Sequence, residues 1–273
     1  MKLGVIIGVE GDLAANFRDA IEMGFPTCQL IIWNQSLYTD ENAAKVRDAV
    51  KQTGMEISGL WAGWSGPAVW DFYDGPDTLG LVPKAFRGIR TIELYAASDF
   101  AEKIGVTDVI THVGFIPETP NHDDFLGVVA VLRALAGYMR PKGQYFLFET
   151  GQETPSTLLR TIEAIGTDNL GINFDSANLL AYGKANPIDA AKMLGKYIRN
   201  THIKDGKYPV SGRELGVETP PGEGDVDYPA LIKVLKDIGY NGCLTIEREI
   251  HGEQQRKDII KARDMLYELG ISS

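Results

Sequence analysis

Residues 144–175 read QYFLFETGQETPSTLLRTIEAIGTDNLGINFD. A short run rich in aromatic residues, Gln144–Glu149, leads into Pro155–Ile165, whose apolar residues recur at three- and four-residue steps. A second strand-like run, Leu170–Asp175, follows. Strand, helix and strand thus succeed one another, and both strands end on a carboxylate. The alternation continues in both directions. Further strand-like runs fall at Leu3–Ile7, Cys28–Trp33, Glu56–Trp61, Asp108–Val113, Ile198–Ile203 and Gly242–Glu247. Helical periodicity marks Asp12–Met23, Thr39–Thr53, Ile89–Ile104, Asp123–Met139, Pro187–Leu194, Tyr228–Ile238 and Glu253–Leu269. Eight β-then-α units without a hairpin signal predict an α/β fold, a single (β/α)8 TIM barrel spanning residues 1–273. A doubly wound open sheet would normally show fewer strands and a Gly-rich first turn, and Gly8-Val9-Glu10-Gly11 is not that turn.

Composition agrees with a globular enzyme-sized chain. Of 273 residues, 44% are hydrophobic and 23% charged, which excludes a disordered or collagen-like chain. With 27 Lys and Arg against 37 Asp and Glu, the net charge of −10 argues against a surface built to hold nucleic acid. Cys28 and Cys243 lie in apolar runs and read as buried free thiols. No stretch has the apolar length of a membrane span, and the N-terminus lacks a signal-peptide layout, so the expected location is cytoplasmic.

In such a barrel the chemistry sits at the C-terminal ends of the strands. The fifth strand ends in Glu149, the sixth in Asp175 and the eighth in Glu247, while the seventh carries His202. Side chains alternate faces along a strand. If Phe146, Phe148, Ile172, Phe174, Leu244 and Ile246 face the helices, the three carboxylates point into the barrel mouth, and His202 joins them if Ile203 packs outward. Three converging carboxylates repel unless one is protonated or a cation lies among them. Glu149, Asp175, His202 and Glu247 are therefore the expected ligands of one divalent metal, Mn²⁺ first, with Mg²⁺ or Co²⁺ as alternatives. A carboxylate at a strand end also serves as a cap for the next helix, and a single histidine there can be a satisfied core residue.

Phe148-Glu149-Thr150-Gly151-Gln152-Glu153, Asn173-Phe174-Asp175-Ser176-Ala177-Asn178, Thr201-His202-Ile203-Lys204-Asp205 and Pro221-Gly222-Glu223-Gly224-Asp225-Val226-Asp227 resemble the xylose-isomerase-like barrel superfamily. More narrowly, the chain resembles the sugar-phosphate isomerase/epimerase group, which includes ketose 3-epimerases and hydroxypyruvate isomerase. The resemblance implies a metal-dependent isomerase or epimerase of a small carbohydrate. It also implies that Glu149 and Glu247 are both ligands and the catalytic pair that exchanges the substrate proton through an enediolate. Those epimerases usually carry a histidine three residues after the ligand aspartate, where this chain has Asn178.

Substrate contacts are expected from His112 at the fourth strand end, Glu153 (with Gln152) in the loop after Glu149, Asn178, Lys204, Arg213 and Trp61. His112 could equally be a core histidine, and Lys204 could pair with a carboxylate. Lys207 and Arg213 lie in the long loop after the seventh strand, where barrels often bind phosphate. Trp33, Trp61 and Trp64 offer aromatic faces to sugar C–H surfaces. His122 and His251 read as loop or helix-entry residues. The expected partner is a small sugar or polyol, with no nucleic acid and no membrane, and relatives leave a homo-oligomer open. The rival readings are a metal-dependent dehydratase of an inosose-like substrate, a phosphodiesterase, for which four histidines and a charge of −10 are unsuitable, and a non-catalytic sugar-binding barrel.

Overall fold

The computed structural model describes residues 1–271. Among them, eight parallel strands close into a barrel: β1 (Lys2–Gly8), β2 (Thr27–Ile32), β3 (Glu56–Ala62), β4 (Asp108–Thr111), β5 (Tyr145–Glu149), β6 (Leu170–Asp175), β7 (Ile198–Ile203) and β8 (Cys243–Ile246). Each neighbours the next in sequence, and β8 closes the ring on β1 through Lys2↔Cys243 to Val5↔Ile246. The main helices are α1 (Leu13–Glu22), α2 (Asp40–Thr53), α3 (Lys84–Ile104), α4 (Asp123–Met139), α5 (Pro155–Ile165), α6 (Pro187–Leu194), α7 (Tyr228–Asp237) and α8 (Glu253–Glu268).

Local chemistry sets the element ends. Thr39 Oγ1 accepts from the Asn42 N–H at 3.1 Å and caps α2, and Gly54 ends that helix at φ 77, a conformation costly for any side chain with a Cβ. Phe146, Phe148, Ile172, Phe174, Ile203, Leu244 and Ile246 all lie in one large cluster that also holds Leu158, Ile162 and Leu231 from the helices. Burial of that layer between sheet and helices is the main driving force for closing the barrel. Trp61, Ile110 and Leu147 form a smaller cluster with Trp64 and Leu79. The inward and outward sets follow the period-two reading.

Several boundaries differ from expectation. β4 and β8 stop at Thr111 and Ile246, so His112 and Glu247 lie one residue beyond their strands. Helix α3 begins at Lys84 rather than Ile89, directly after Pro83, because Gly88 is accommodated inside the helix. The long loop after β7 holds an antiparallel pair, Asp205–Gly206 with Glu218–Thr219, where no hairpin was expected. Two residues per strand are too few for alternation to show. Short helices at Gly75–Thr78 and Ser176–Ala181 escaped the periodicity for the same reason. Cys28 and Cys243 are buried free thiols. Among the described residues no helix is long and apolar enough to cross a membrane.

Candidate active site

Four consecutive strands deliver the central side chains. Glu149 ends β5, Asp175 ends β6, His202 lies next to the last residue of β7, and Glu247 follows β8. Asp175 and His202 are register partners, and alternation turns all four residues inward. One ligand atom from each lies within 4.8 Å of those of the other three. His202 Nδ1 is the hub. It lies 3.0 Å from Glu149 Oε1, 3.2 Å from Glu247 Oε2 and 3.7 Å from Asp175 Oδ2.

Burial disfavours the charged form of every member. For Glu149 the charges of His112 and His202 outweigh burial and hold the carboxyl below its usual range. For Glu247, Lys204 and His202 outweigh it further. For Asp175 burial prevails over Lys204 and His202, and its pKa is raised. His202 resists burial because Glu247 and Glu149 face it, and its pKa rises well above that of free imidazole. Asp175 Oδ1 accepts from the Asn178 N–H at 2.8 Å and caps the Ser176–Ala181 helix, while Oδ2 has no hydrogen-bond partner. A buried carboxylate oxygen without a donor is costly. Three carboxylates and one imidazole converging on one point form a donor set suited to a hard-to-intermediate divalent ion. The residues fit a metal, and the cluster could hold one.

A further residue that the sequence reading passed over supports the cluster. Gln29, fully buried in β2, has Oε1 2.8 Å from His202 Nε2 and donates from Nε2 to Asn173 Oδ1 at 3.0 Å. A polar side chain at an inward position of the apolar run Cys28–Trp33 was the available signal.

The expected contact residues divide. Trp61 donates its indole N–H to Glu149 Oε2. His112 has Nε2 3.5 Å from Glu149 Oε1, and its buried Nδ1 has no partner. Asn178 Nδ2 donates to Glu149 Oε1 at 3.4 Å, and its Oδ1 accepts from Lys204 Nζ at 3.3 Å. Lys204 Nζ also lies 3.1 Å from Glu247 Oε2 and 2.8 Å from Glu249 Oε1. Trp61, His112, Asn178 and Lys204 are thus gathered with the quartet. Glu153 is buried behind the mouth without lining its cavity, and burial raises its pKa to about 8. Arg213 and Lys207 are exposed on the long loop and line no part of that cavity. His122 caps α4 through an Nδ1 that accepts from the Asp124 N–H.

The mouth opens as a cleft of two lobes, of about 520 Å³ and about 350 Å³. Trp70, Tyr182 and Glu249, none of them anticipated, line it together with Trp33 and His112. Two buried charges shape the rims. Arg90 donates to the carbonyl oxygens of Ser65, Pro67, Thr78 and Gly80 and so staples the loop after β3. Asp205 accepts from the N–H groups of Gly206, Gly222, Gly224 and Val226 and so ties down the loop after β7. Each satisfies several loop backbone groups at once, which fixes irregular chain at a cost in freedom met by strong charge-assisted bonds.

Comparison with known proteins agrees with this architecture. Residues 17–269 match the family described as xylose isomerase-like TIM barrel. A solved xylose isomerase domain protein from Planctomyces limnophilus is 36% identical, with a TM-score of 0.92, covering 98% of this chain and 96% of that one. A D-tagatose 3-epimerase-like protein superposes with a TM-score of 0.74 over 98% and 97% of the two chains at 21% identity, a likeness of fold. Inosose dehydratase from Clostridium perfringens is 25% identical over 148 residues, 47% of this chain and 48% of that protein, so the match spans about half of that relative's length.

Proposed function

Because the chain belongs to the xylose isomerase-like TIM barrel family, we propose that it is a divalent-metal-dependent isomerase or epimerase of a small polyhydroxy carbonyl compound. Glu149, Asp175, His202 and Glu247 hold the ion, with Mn²⁺ the best match to an oxygen-rich donor set carrying one nitrogen. The observation that carries this reading is the convergence of two glutamates, Glu149 and Glu247, within 3.0 and 3.2 Å of His202 Nδ1 in the wall of an open cleft.

When bound, the ion supplies Lewis acidity toward a carbonyl oxygen, which acidifies the adjacent C–H. The protein does the proton work. Neighbouring cations, His112 and His202 beside Glu149 and Lys204 and His202 beside Glu247, favour the ionised form of each carboxyl, so either can serve as the base. One takes the carbon-bound proton to leave an enediolate. In an isomerisation that same glutamate, now the acid, returns the proton to the neighbouring carbon, whereas in an epimerisation the other glutamate starts protonated and delivers its proton to the opposite face of the same carbon. Trp61 and Asn178 orient Glu149 through their N–H donors, and Lys204 orients Glu247. His112, which lines the cleft with Nε2 3.5 Å from Glu149 Oε1, meets a substrate hydroxyl or carbonyl.

The similarity to inosose dehydratase favours one second reading, a dehydratase that begins with the same proton abstraction and then expels a β-hydroxyl. Incubation of the metal-loaded protein with ketoses and keto-inositols in D2O separates the outcomes. Deuterium at the carbon beside the carbonyl in an isomer or epimer supports the proposal, and an unsaturated product with loss of water supports the dehydratase. Sugar binding without any carbon-bound exchange overturns both.

A further inference from the structure

The larger lobe of the cleft contains the reacting groups, because Glu149, Glu247 and Trp61 line it. The smaller lobe contains none of the quartet. Its walls include Asn178, Ala181, Tyr182, Leu215 and Gly216. Trp33, Trp70, His112 and Glu249 line both lobes, so the two are halves of one trough. Each lobe alone falls in the range of roughly 300–1,000 Å³ typical of a small-ligand site. A single sugar ring held against Glu149 and Glu247 occupies part of the larger lobe and leaves the smaller one to water.

The shared wall is aromatic and open. Trp61 and Trp64 are 4% and 5% exposed, but Trp33 and Trp70 are 42% and 41% exposed. Trp70 packs edge-on to Trp33 at 6.5 Å between ring centroids and stands 5.3 Å from the His112 ring. These faces are held ready. Arg90 pins the loop carrying Trp70 by its four carbonyl contacts, and Leu81 N–H bonds Val113 O at 2.7 Å, locking that loop to the one bearing His112. A rigid, exposed indole gains contact area on binding without paying an ordering cost.

Charge narrows the occupant further. The Lys and Arg side chains lining the trough are Lys204 and Arg248. Lys204 is already paired with Glu247 and Glu249, and Arg248 with Glu218 and Asp258. No unpaired Lys or Arg among the described residues lines either lobe to receive a phosphate.

We propose that the substrate is a neutral two-unit glycoside. Its keto-sugar unit lies at the Glu149–Asp175–His202–Glu247 cluster, and its second ring lies against Trp33 and Trp70 in the smaller lobe. The inference rests on the isomerase or epimerase reading and adds the second unit and the absence of a phosphate.

Tryptophan fluorescence titrations of the metal-loaded protein test it with fructose, fructose 6-phosphate and two glycosylated fructoses, isomaltulose and lactulose. At least one disaccharide is expected to bind about ten-fold more tightly than fructose, the equivalent of roughly 1.4 kcal/mol and of one good aromatic contact. Fructose 6-phosphate is expected to bind no more tightly than fructose. Trp33→Ala and Trp70→Ala, both at partly exposed positions, are expected to reduce the disaccharide advantage to about two-fold or less, with folding checked by circular dichroism. Equal affinity for fructose and both disaccharides overturns the proposal, as does tightest binding of the phosphate or an advantage that survives both substitutions. Deuterium exchange on the same samples separates the two levels. Exchange into fructose as efficient as into the disaccharides sinks the two-unit substrate and leaves the enzyme reading standing, whereas no binding and no exchange with any probe removes both.

Discussion

Gln29 Oε1 lies 2.8 Å from His202 Nε2, a bond between β2 and β7 made through the interior of the barrel. Because Gln29 Nε2 donates to Asn173 Oδ1, its Oε1 is the end that faces the imidazole and accepts the Nε2–H. His202 therefore presents Nδ1 to the three carboxylates, and the ring cannot rotate without breaking a buried bond. Metal-binding histidines are commonly fixed by such a partner on the other ring nitrogen.

Gln29→Ala is accordingly expected to weaken divalent metal binding by about 10- to 100-fold, the usual cost of removing an outer partner. Calorimetric titration with Mn²⁺ on the folded variant measures it. An unchanged affinity would assign Gln29 to packing alone.

The protein purified without chelator is expected to carry about one divalent metal per chain, as four convergent ligands imply. Asp175→Asn and His202→Ala are expected to lose that metal with the fold retained, because the mouth contributes more to function than to barrel stability. Elemental analysis alongside circular dichroism checks both. Wild-type metal content in either variant removes that residue from the ligand set.

Glu149→Gln and Glu247→Gln are each expected to abolish turnover, since glutamine offers a metal an oxygen but cannot carry a proton. With a given epimer, one variant should block deuterium entry at the reacting carbon, and the other should allow entry while blocking inversion. Metal content measured on the same samples identifies failure through ligand loss. Full metal occupancy with undiminished turnover would exclude that glutamate from the chemistry.

Glu153 gives stability a pH dependence of known sign. Its carboxyl is raised by burial from 4.5 to about 8. Between these values the folded chain keeps a proton that the unfolded chain has released, so this group makes stability fall as pH rises through that window. Glu153→Gln is expected to flatten the fall, with a gain on the order of a few kcal/mol above pH 8 relative to wild type. Urea denaturation at pH 5, 7 and 9 measures it, and parallel curves for the two proteins would refute it.

Arg90→Met leaves four loop carbonyl oxygens without their donor and is expected to cost about 2–4 kcal/mol. Denaturation midpoints give the loss, and a change below about 0.5 kcal/mol, typical of surface positions, would show that the staple is dispensable.

The sequence by itself determined the eight β/α units, the faces of the strands and the four inward side chains at β5 to β8. Those features follow from local periodicity: alternation decides which way Phe148 and Glu149 point, whatever lies on the far side of the barrel. It also marked Trp61, His112, Asn178 and Lys204, each within a residue or two of a strand end or three residues after a ligand. Only the tertiary structure decided that Gln29 holds His202, that Arg90 and Asp205 fix the two rim loops, and that Trp33 and Trp70 open a second lobe. Gln29 and His202 are 173 positions apart. Their meeting depends on closure and register across the whole ring, and no pattern within a window of ten or fifteen residues carries that information. Arg213 and Glu153 mark the same limit. Position in a loop shows that a charge is near the mouth, but packing decides whether the side chain turns into the cleft, out to solvent or into the protein behind it.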